Sequence, residues 1–274
     1  MALPFLDCSA QRLEEIVQRR LLCVFDFDGT LAPIVARPEQ VRVPLGLLLR
    51  MRALSAYAPV AVLSGRSLTD ISPRLDFEAD FVVGNQGLEG LPGGRHCAAS
   101  YQPLCHAWEQ TLSAALAEQA FFDEGIWIEN KGYSLAVHYR SARNPVKAKA
   151  QLAGLFRDLL PRAQVIEGKC VFNLLPPGSV TKATALEELM QASGARSAVY
   201  VGDDATDEAA FRLRRRDLLT VRIGPATNTA AEFFLPDQRD MFKALDDLIG
   251  RLHQVQARNW LHAARADAQC LALA

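Results

Sequence analysis

No stretch of this sequence reaches the roughly 20 consecutive apolar residues that a membrane span requires. The first twenty residues, MALPFLDCSAQRLEEIVQRR, carry acids and bases where a secretion signal would be apolar. Neither membrane insertion nor secretion is expected, and a cytoplasmic location is. Excess charge of one sign is lacking too, since 30 Lys plus Arg nearly cancel 31 Asp plus Glu to leave a formal net charge of -1. A chain so balanced has no global field to draw nucleic acid or an anionic membrane, so any anion must be caught by local groups. The cysteines Cys8, Cys23, Cys97, Cys105, Cys170 and Cys270 make no CxxC pair and no Cys/His zinc spacing, and they read as reduced, structural thiols. Solenoid-period repeats and low-complexity tracts are absent. What remains is 274 residues, 50% hydrophobic and 22% charged, the composition of a folded protein with room for one large domain or two modest ones.

Short β-rich apolar runs recur and stop abruptly at polar residues or glycine: LLCVF before Asp26, PVAVL before Ser64, FVV before Gly84, AVYV before Gly202 and LLTVRI before Gly224. Runs without polar alternation read as strands of a parallel sheet covered on both faces. Helical spacing separates them, at Leu48, Leu49, Met51 and Leu54 and again at Ala183, Leu186, Leu189 and Met190. The fold class is therefore α/β, doubly wound and Rossmann-like. The middle of the chain breaks this rhythm. A helix carrying Leu104, Trp108, Leu112 and Leu116 precedes a strand pair meeting near Gly132, and a helix from Val146 to Leu160 precedes a second pair meeting near Gly168. That α+β pattern predicts an inserted domain over residues 102–176, bounded by the turn-rich LEGLPGGRH and LLPPGSVT, within a core made of residues 1–101 and 177–274. The last 25 residues read as an Ala-rich helix without a chemical signal.

Chemistry gathers at the strand ends. Asp26 and Asp28, in Asp26-Phe27-Asp28-Gly29-Thr30, follow the first run and can both face the crevice at the carboxyl end of a parallel sheet. Two acids there invite a hard cation, and Asp203-Asp204 offers a third at another strand end, a set that suits Mg²⁺. Taken alone, Asp-x-Asp-Gly is also an ordinary turn. Ser64-Gly65-Arg66 supplies a hydroxyl and accessible backbone N–H groups for a phosphate oxygen, although Ser64 could equally cap a helix near Leu68. Lys182 opens the helix after Pro177-Gly178-Ser179 and can place an ammonium over a phosphate or an aspartate. Together these parts suit phosphoryl transfer to a carboxylate: a nucleophile, a metal, a Lys and an acid for the leaving alcohol.

These motifs resemble the haloacid dehalogenase (HAD) superfamily of phosphatases and, within it, the trehalose-6-phosphate phosphatase family. DFDGTLAPI at Asp26–Ile34, SGR at Ser64–Arg66, the region of Lys182 and YVGDDATDEAAF at Tyr200–Phe211 are similar to its four core motifs. ENKGYSLAVHYR at Glu129–Arg140 resembles the signature of its inserted cap. The resemblance implies that Asp26 is the nucleophile and Asp28 the general acid and later base. It places Mg²⁺ on Asp26, the backbone carbonyl of Asp28 and Asp203. Ser64 and Lys182 would hold phosphoryl oxygens, with Asp204 and Asp207 supporting the metal and Lys182. Gly65 and Arg66 join the substrate-binding set, as do Glu129, Lys131, His138 and Arg140 in the cap hairpin, where Glu129 and Lys131 would take sugar hydroxyls on cap closure. A solvated hairpin face is the plainer reading of the last four.

Two positions depart from the family pattern. Gln86, in Gly84-Asn85-Gln86-Gly87-Leu88-Glu89, stands where relatives have His, and Asn173, in VFNLLPPG, stands where relatives carry a sugar-binding Glu. Neither touches the phosphotransfer set, so the expected activity is Mg²⁺-dependent hydrolysis of trehalose 6-phosphate through an aspartyl phosphate. Another phosphorylated disaccharide or sugar-like metabolite is the alternative substrate, and a catalytically inactive sugar-phosphate sensor a further one. The partner is a small phosphosugar, and a trehalose-phosphate synthase is expected as a separate chain. His96, His106, His253 and His262 share no ligand spacing, and Arg212, Arg214, Arg215 and Arg216 read as a solvated helix end rather than a nucleic-acid patch.

Overall fold

Each apolar run named above becomes a strand of one sheet. The computed structural model describes residues 1–35, 40–93, 98–118 and 123–272. It opens with β1 (Leu3–Pro4), α1 (Phe5–Cys8), α2 (Ala10–Val17), β2 (Leu21–Phe25), α3 (Leu45–Ser55), β3 (Val60–Leu63), α4 (Leu68–Ile71) and β4 (Phe81–Val83). The central segment is α5 (Gln102–Ala117), β5 (Trp127–Asn130), β6 (Leu135–His138), α6 (Pro145–Leu155), β7 (Gln164–Gly168) and β8 (Val171–Leu175). The chain then returns through α7 (Lys182–Ser193), β9 (Ser197–Gly202), α8 (Glu208–Phe211), β10 (Leu218–Ile223), β11 (Phe233–Leu235) and α9 (Met241–Ala272).

The seven-stranded sheet has the order β1-β11-β10-β9-β2-β3-β4, and all its neighbours run parallel. Its strands alternate between two cores, which is why their sequences lack polar alternation. On β2, Leu21, Cys23 and Phe25 join the cluster under α2, α3 and α9, whereas Leu22 and Val24 join the one under α7 and α8. Each such large apolar side chain contributes about 1.5–3 kcal/mol on burial. The short outer strands β1 and β11 went unexpected, because two or three residues leave no periodicity to read.

Helix faces needed correction. On α3 the inward side is Leu47, Met51 and Leu54, while Leu49 is 56% exposed. The run LGLLLR offers two apolar faces, and packing against α9 selects one: Gly46 lies so close to Phe242 that a Cβ there would come within 2.3 Å of its ring. On α7, Ala185 rather than Ala183 faces the core beside Leu186, Leu189 and Met190. Thr181 caps this helix and Gly194 ends it in the left-handed conformation.

The second sheet is antiparallel, ordered β5-β6-β8-β7, so that two hairpins join through β6 and β8. Leu135, Val137, Phe172 and Leu174 pack on Trp108 and Leu112 of α5 and on Leu152 of α6. Residues between them, including Glu129, His138 and Asn173, occupy the other face, as the period of two requires. Among the described cysteines, Cys23 and Cys105 are buried and free, but Cys8 is exposed and Cys170 half-buried, so not every thiol is core. Burial pushes the Cys23 thiol up to about 12. Cys97, His96 and the side chain of Cys270 lie outside the described residues. Arg212, Arg214, Arg215 and Arg216 follow α8 on the surface, as expected of a solvated run. Among the described residues no helix is long and apolar enough to cross a membrane.

Candidate active site

Strand β2 sits between β3 and β9, so the chain's connections diverge on either side of it and open a crevice at the carboxyl ends. Asp26 follows β2 directly, Ser64 follows β3, Gln86 lies just past β4 and Asp203 follows β9. From the first turn of α7, Lys182 reaches into the same space. Its Nζ donates to Asp26 Oδ1 at 2.7 Å and to Asp207 Oδ1 at 2.7 Å, with all three side chains buried. Burial works against the ammonium, but Asp207 and Asp26 outweigh it and keep Lys182 protonated well above its ordinary value.

Asp207 is fully occupied. Its Oδ1 also accepts from the Tyr200 hydroxyl at 2.6 Å, and Oδ2 accepts the backbone N–H groups of Asp203 and Asp204, each at 2.9 Å. It therefore orients Lys182 and the turn after β9. Asp203 differs, because Oδ2 takes Lys169 while Oδ1 is enclosed with no partner. Burial pushes its carboxyl up to about 6 although Lys169 opposes the shift. Burial likewise raises Asp26, with Lys182 opposing and Asp207 and Asp203 reinforcing. Ligand oxygens of Asp26, Asp203 and Asp207 lie within 4.8 Å of one another, and no histidine joins this cluster among the described residues. With Asp207 saturated, Asp26 and the unpartnered oxygen of Asp203 are the ones free to take a cation. An orphaned carboxylate oxygen in an acid-rich, oxygen-only pocket fits Mg²⁺. Gly29 is obligatory here, since a Cβ would stand 2.1 Å from Asp203 Oδ2 and its φ is +85°.

Asp28 stands outside the carboxylate cluster. Arg66 grips it with Nε at 2.6 Å and Nη2 at 2.8 Å, and donates Nη1 to Asp70 at 2.6 Å. Arg66, expected on substrate, is thus engaged by carboxylates and positions Asp28. Ser64 is buried, and its Oγ accepts the Arg66 N–H at 3.1 Å instead of capping α4.

The facing wall is the second sheet. Glu129 lies opposite Ala136, and Ala136 opposite Asn173, so one face carries both polar residues toward the crevice. His138 Nε2 lies 2.9 Å from Glu129 Oε2, and Lys131 Nζ donates to the Gly65 carbonyl at 2.9 Å. Burial would raise Glu129, but His138 and Lys131 hold it below its ordinary range. Arg140 donates to the Lys169 carbonyl at 3.1 Å. The two walls enclose a cavity of about 250 Å³ that includes Asp26, Lys182, Glu129, His138, Arg140 and Asn173. Sequence reasoning missed Trp127, whose ring stacks on His138 at 3.9 Å and 11° and is 46% exposed. Its position two residues before Glu129 on the same strand was the available signal. It also missed Lys169, in the β7–β8 turn.

Residues 24–238 match the family profile described as trehalose-phosphatase. The chain belongs to the trehalose-phosphatase family. It is 35% identical over 202 residues to the trehalose-phosphate phosphatase of Mycobacterium avium, covering 68% of this chain and 49% of that protein. It is 36% identical over 227 residues to an uncharacterized glycosyl hydrolase of Mycobacterium tuberculosis, covering 75% of this chain and 16% of that one. The chain thus spans about half the length of the first relative and a small part of the second. Among solved structures, a trehalose-6-phosphate phosphatase related protein superposes with a TM-score of 0.69 at 25% identity, over 86% of this chain and 99% of that one. The C-terminal domain of the Candida albicans trehalose-6-phosphate phosphatase shares the fold, with a TM-score of 0.74 at 20% identity over 91% and 98% of the two chains. A parallel HAD-type core with a second sheet over its crevice is therefore the architecture of this trehalose-phosphatase family member.

Proposed function

We propose that this protein hydrolyses the phosphate monoester of a sugar, trehalose 6-phosphate first, by way of an aspartyl phosphate on Asp26. The observation that carries this reading is the buried Asp26–Lys182–Asp207 chain beside an unpartnered Asp203 oxygen, facing a wall that bears Glu129, His138 and Asn173. Mg²⁺ would be held by Asp26, Asp203 and the backbone carbonyl of Asp28, and when bound it offsets charge on the phosphoryl group.

Asp26 attacks phosphorus, a new P–O bond forms to its carboxylate, and the bond to the sugar oxygen breaks. Asp28 gives its proton to that leaving oxygen, then takes one from the water that attacks the phosphorus. Phosphate departs and the Asp26 carboxylate is restored. Arg66 keeps Asp28 aimed at the crevice and must release one of its two hydrogen bonds when Asp28 carries the proton. Ser64 and Lys182 hold phosphoryl oxygens, and Asp204 supports the turn that presents Asp203. The segment 102–176 acts as a cap that excludes water until the sugar leaves. A cytoplasmic location fits a protein acting on a soluble phosphosugar.

A second substrate reading, another phosphorylated disaccharide or sugar-like metabolite, is favoured by one observation: two neutral amides, Gln86 and Asn173, line the cavity, and they are the positions at which the sequence departs from the family it resembles. Phosphate release is to be measured from trehalose 6-phosphate and a panel of phosphosugars, with Mg²⁺ and with EDTA, against Asp26→Asn. Metal-dependent release that the substitution abolishes is the expected result. Binding without release would turn the reading to a sensor.

A further inference from the structure

The turn that follows β4 is built against its own backbone preferences. Asn85 and Gln86 have φ of +48° and +62°, and Gly87 follows at +116°. Consecutive left-handed conformers are costly for residues with side chains, and such strain persists where surrounding structure enforces it. Here the enforcement is visible on both sides of the cavity. Asn85 N donates to the Arg66 carbonyl at 2.7 Å and Gln86 N to the Ser64 carbonyl at 2.9 Å, which ties the turn to the loop after β3. The Asn85 side chain donates to the Lys131 carbonyl at 3.1 Å and accepts from Ser134 Oγ at 2.6 Å, which ties it to the β5–β6 hairpin.

The Gln86 side-chain oxygen gains no partner from this arrangement. The residue is 5% exposed, it lines the catalytic cavity, and its Oε1 is enclosed. Its amide lies over Gly65, where a Cβ would come within 2.5 Å of Nε2. A buried amide with an unmet acceptor, held in a strained turn and facing a cavity, is a group waiting for a ligand.

We propose that Gln86 is a specificity-determining residue that hydrogen-bonds a hydroxyl of the phosphosugar at the seam between the phosphate loop and the second sheet. This deepens the reading of the preceding subsection and rests on it. The substrate it selects is a phosphate monoester with a free hydroxyl close to the phosphorylated carbon. Phosphate alone, or an ester without hydroxyls, gains nothing from the amide.

The test compares the wild type with Gln86→Gly and Gln86→Asn on the preferred phosphosugar of the panel and on p-nitrophenyl phosphate, with melting temperature measured alongside. Gln86→Gly removes the amide and the strain together, so the protein is expected to melt at the same or a higher temperature. Its kcat/KM on the phosphosugar is expected to fall about 10- to 100-fold, and by about tenfold more than its kcat/KM on p-nitrophenyl phosphate. Gln86→Asn keeps an amide and tolerates the left-handed backbone, and is expected to recover part of the loss. Equal losses on both substrates, or none, would overturn the assignment of Gln86. A wild type that cleaves p-nitrophenyl phosphate but no phosphosugar would instead refute the substrate reading, and the assignment with it.

Discussion

A single carboxylate, Asp207, shows how much of the site rests on fixed internal charge. It accepts four hydrogen bonds, from Lys182, the Tyr200 hydroxyl and two backbone N–H groups. Asp207→Asn would turn an NH₂ group toward donors and leave Lys182 with Asp26 alone, so a loss of about 3–5 kcal/mol in urea unfolding is expected. A second residue sets a pH response. Burial raises Asp70, but hydrogen bonds from Arg74 and Arg66 outweigh it and hold its carboxyl below the ordinary value. A carboxyl lowered by folding contributes stability above its unfolded value, and that contribution is lost as pH falls through the folded one. Asp70→Asn is therefore expected to cost about 1 kcal/mol at pH 7, a gap that closes below about pH 4, as unfolding curves across pH would show. The acids at strand ends were legible because each directly follows an apolar run. Arg66's engagement with Asp28 and Asp70 was not, since spacing along a chain does not say which charges fold together. Trp127 and Lys169 escaped for the same reason: they act across the crevice from residues far away in sequence.

At the scale of an element, strand alternation assigns opposite fates to adjacent residues. On β8, Leu174 packs into the cluster under α5 and α6, whereas Asn173 faces the cavity. Leu174→Ala is expected to cost about 2–5 kcal/mol of stability by leaving a hole among close-packed neighbours. Asn173→Ala is expected to cost less than about 1 kcal/mol of stability but about tenfold in kcat/KM on a phosphosugar, with p-nitrophenyl phosphate unchanged. Paired melting and kinetic measurements would separate the two. The strands were legible from their apolar runs, since β2 and β9 are buried at every position and β6 and β8 at all but one end residue each. Helix α3 was less so, because four leucines close together leave its inward face to be chosen by α9.

Across the whole molecule, the second sheet meets the parallel core through the apolar packing of Leu175, Ile166 and Tyr133 and through polar contacts around the crevice. Lys131 reaches the Gly65 carbonyl, Asn85 clasps the β5–β6 hairpin, and Lys169 of the β7–β8 turn pairs with Asp203. The change from parallel runs to hairpins could be read from the sequence. These closures could not, since none has a local pattern. The Lys169 contact has a consequence that can be measured. It occupies one oxygen of the carboxylate whose other oxygen is unpartnered, so a divalent cation bound there would compete with the second sheet for Asp203. A cation that binds only the folded protein adds about 2.7 kcal/mol at a hundred times its Kd, so Mg²⁺ is expected to raise the melting temperature and Asp203→Asn to abolish that rise. In Lys169→Ala the competitor is gone, and half-maximal stabilisation is expected at about fivefold lower Mg²⁺, the equivalent of about 1 kcal/mol for a half-exposed ammonium. If Lys169→Ala binds Mg²⁺ no more tightly than the wild type, the contact does not oppose metal binding, and closure of the second sheet and loading of the site are independent events.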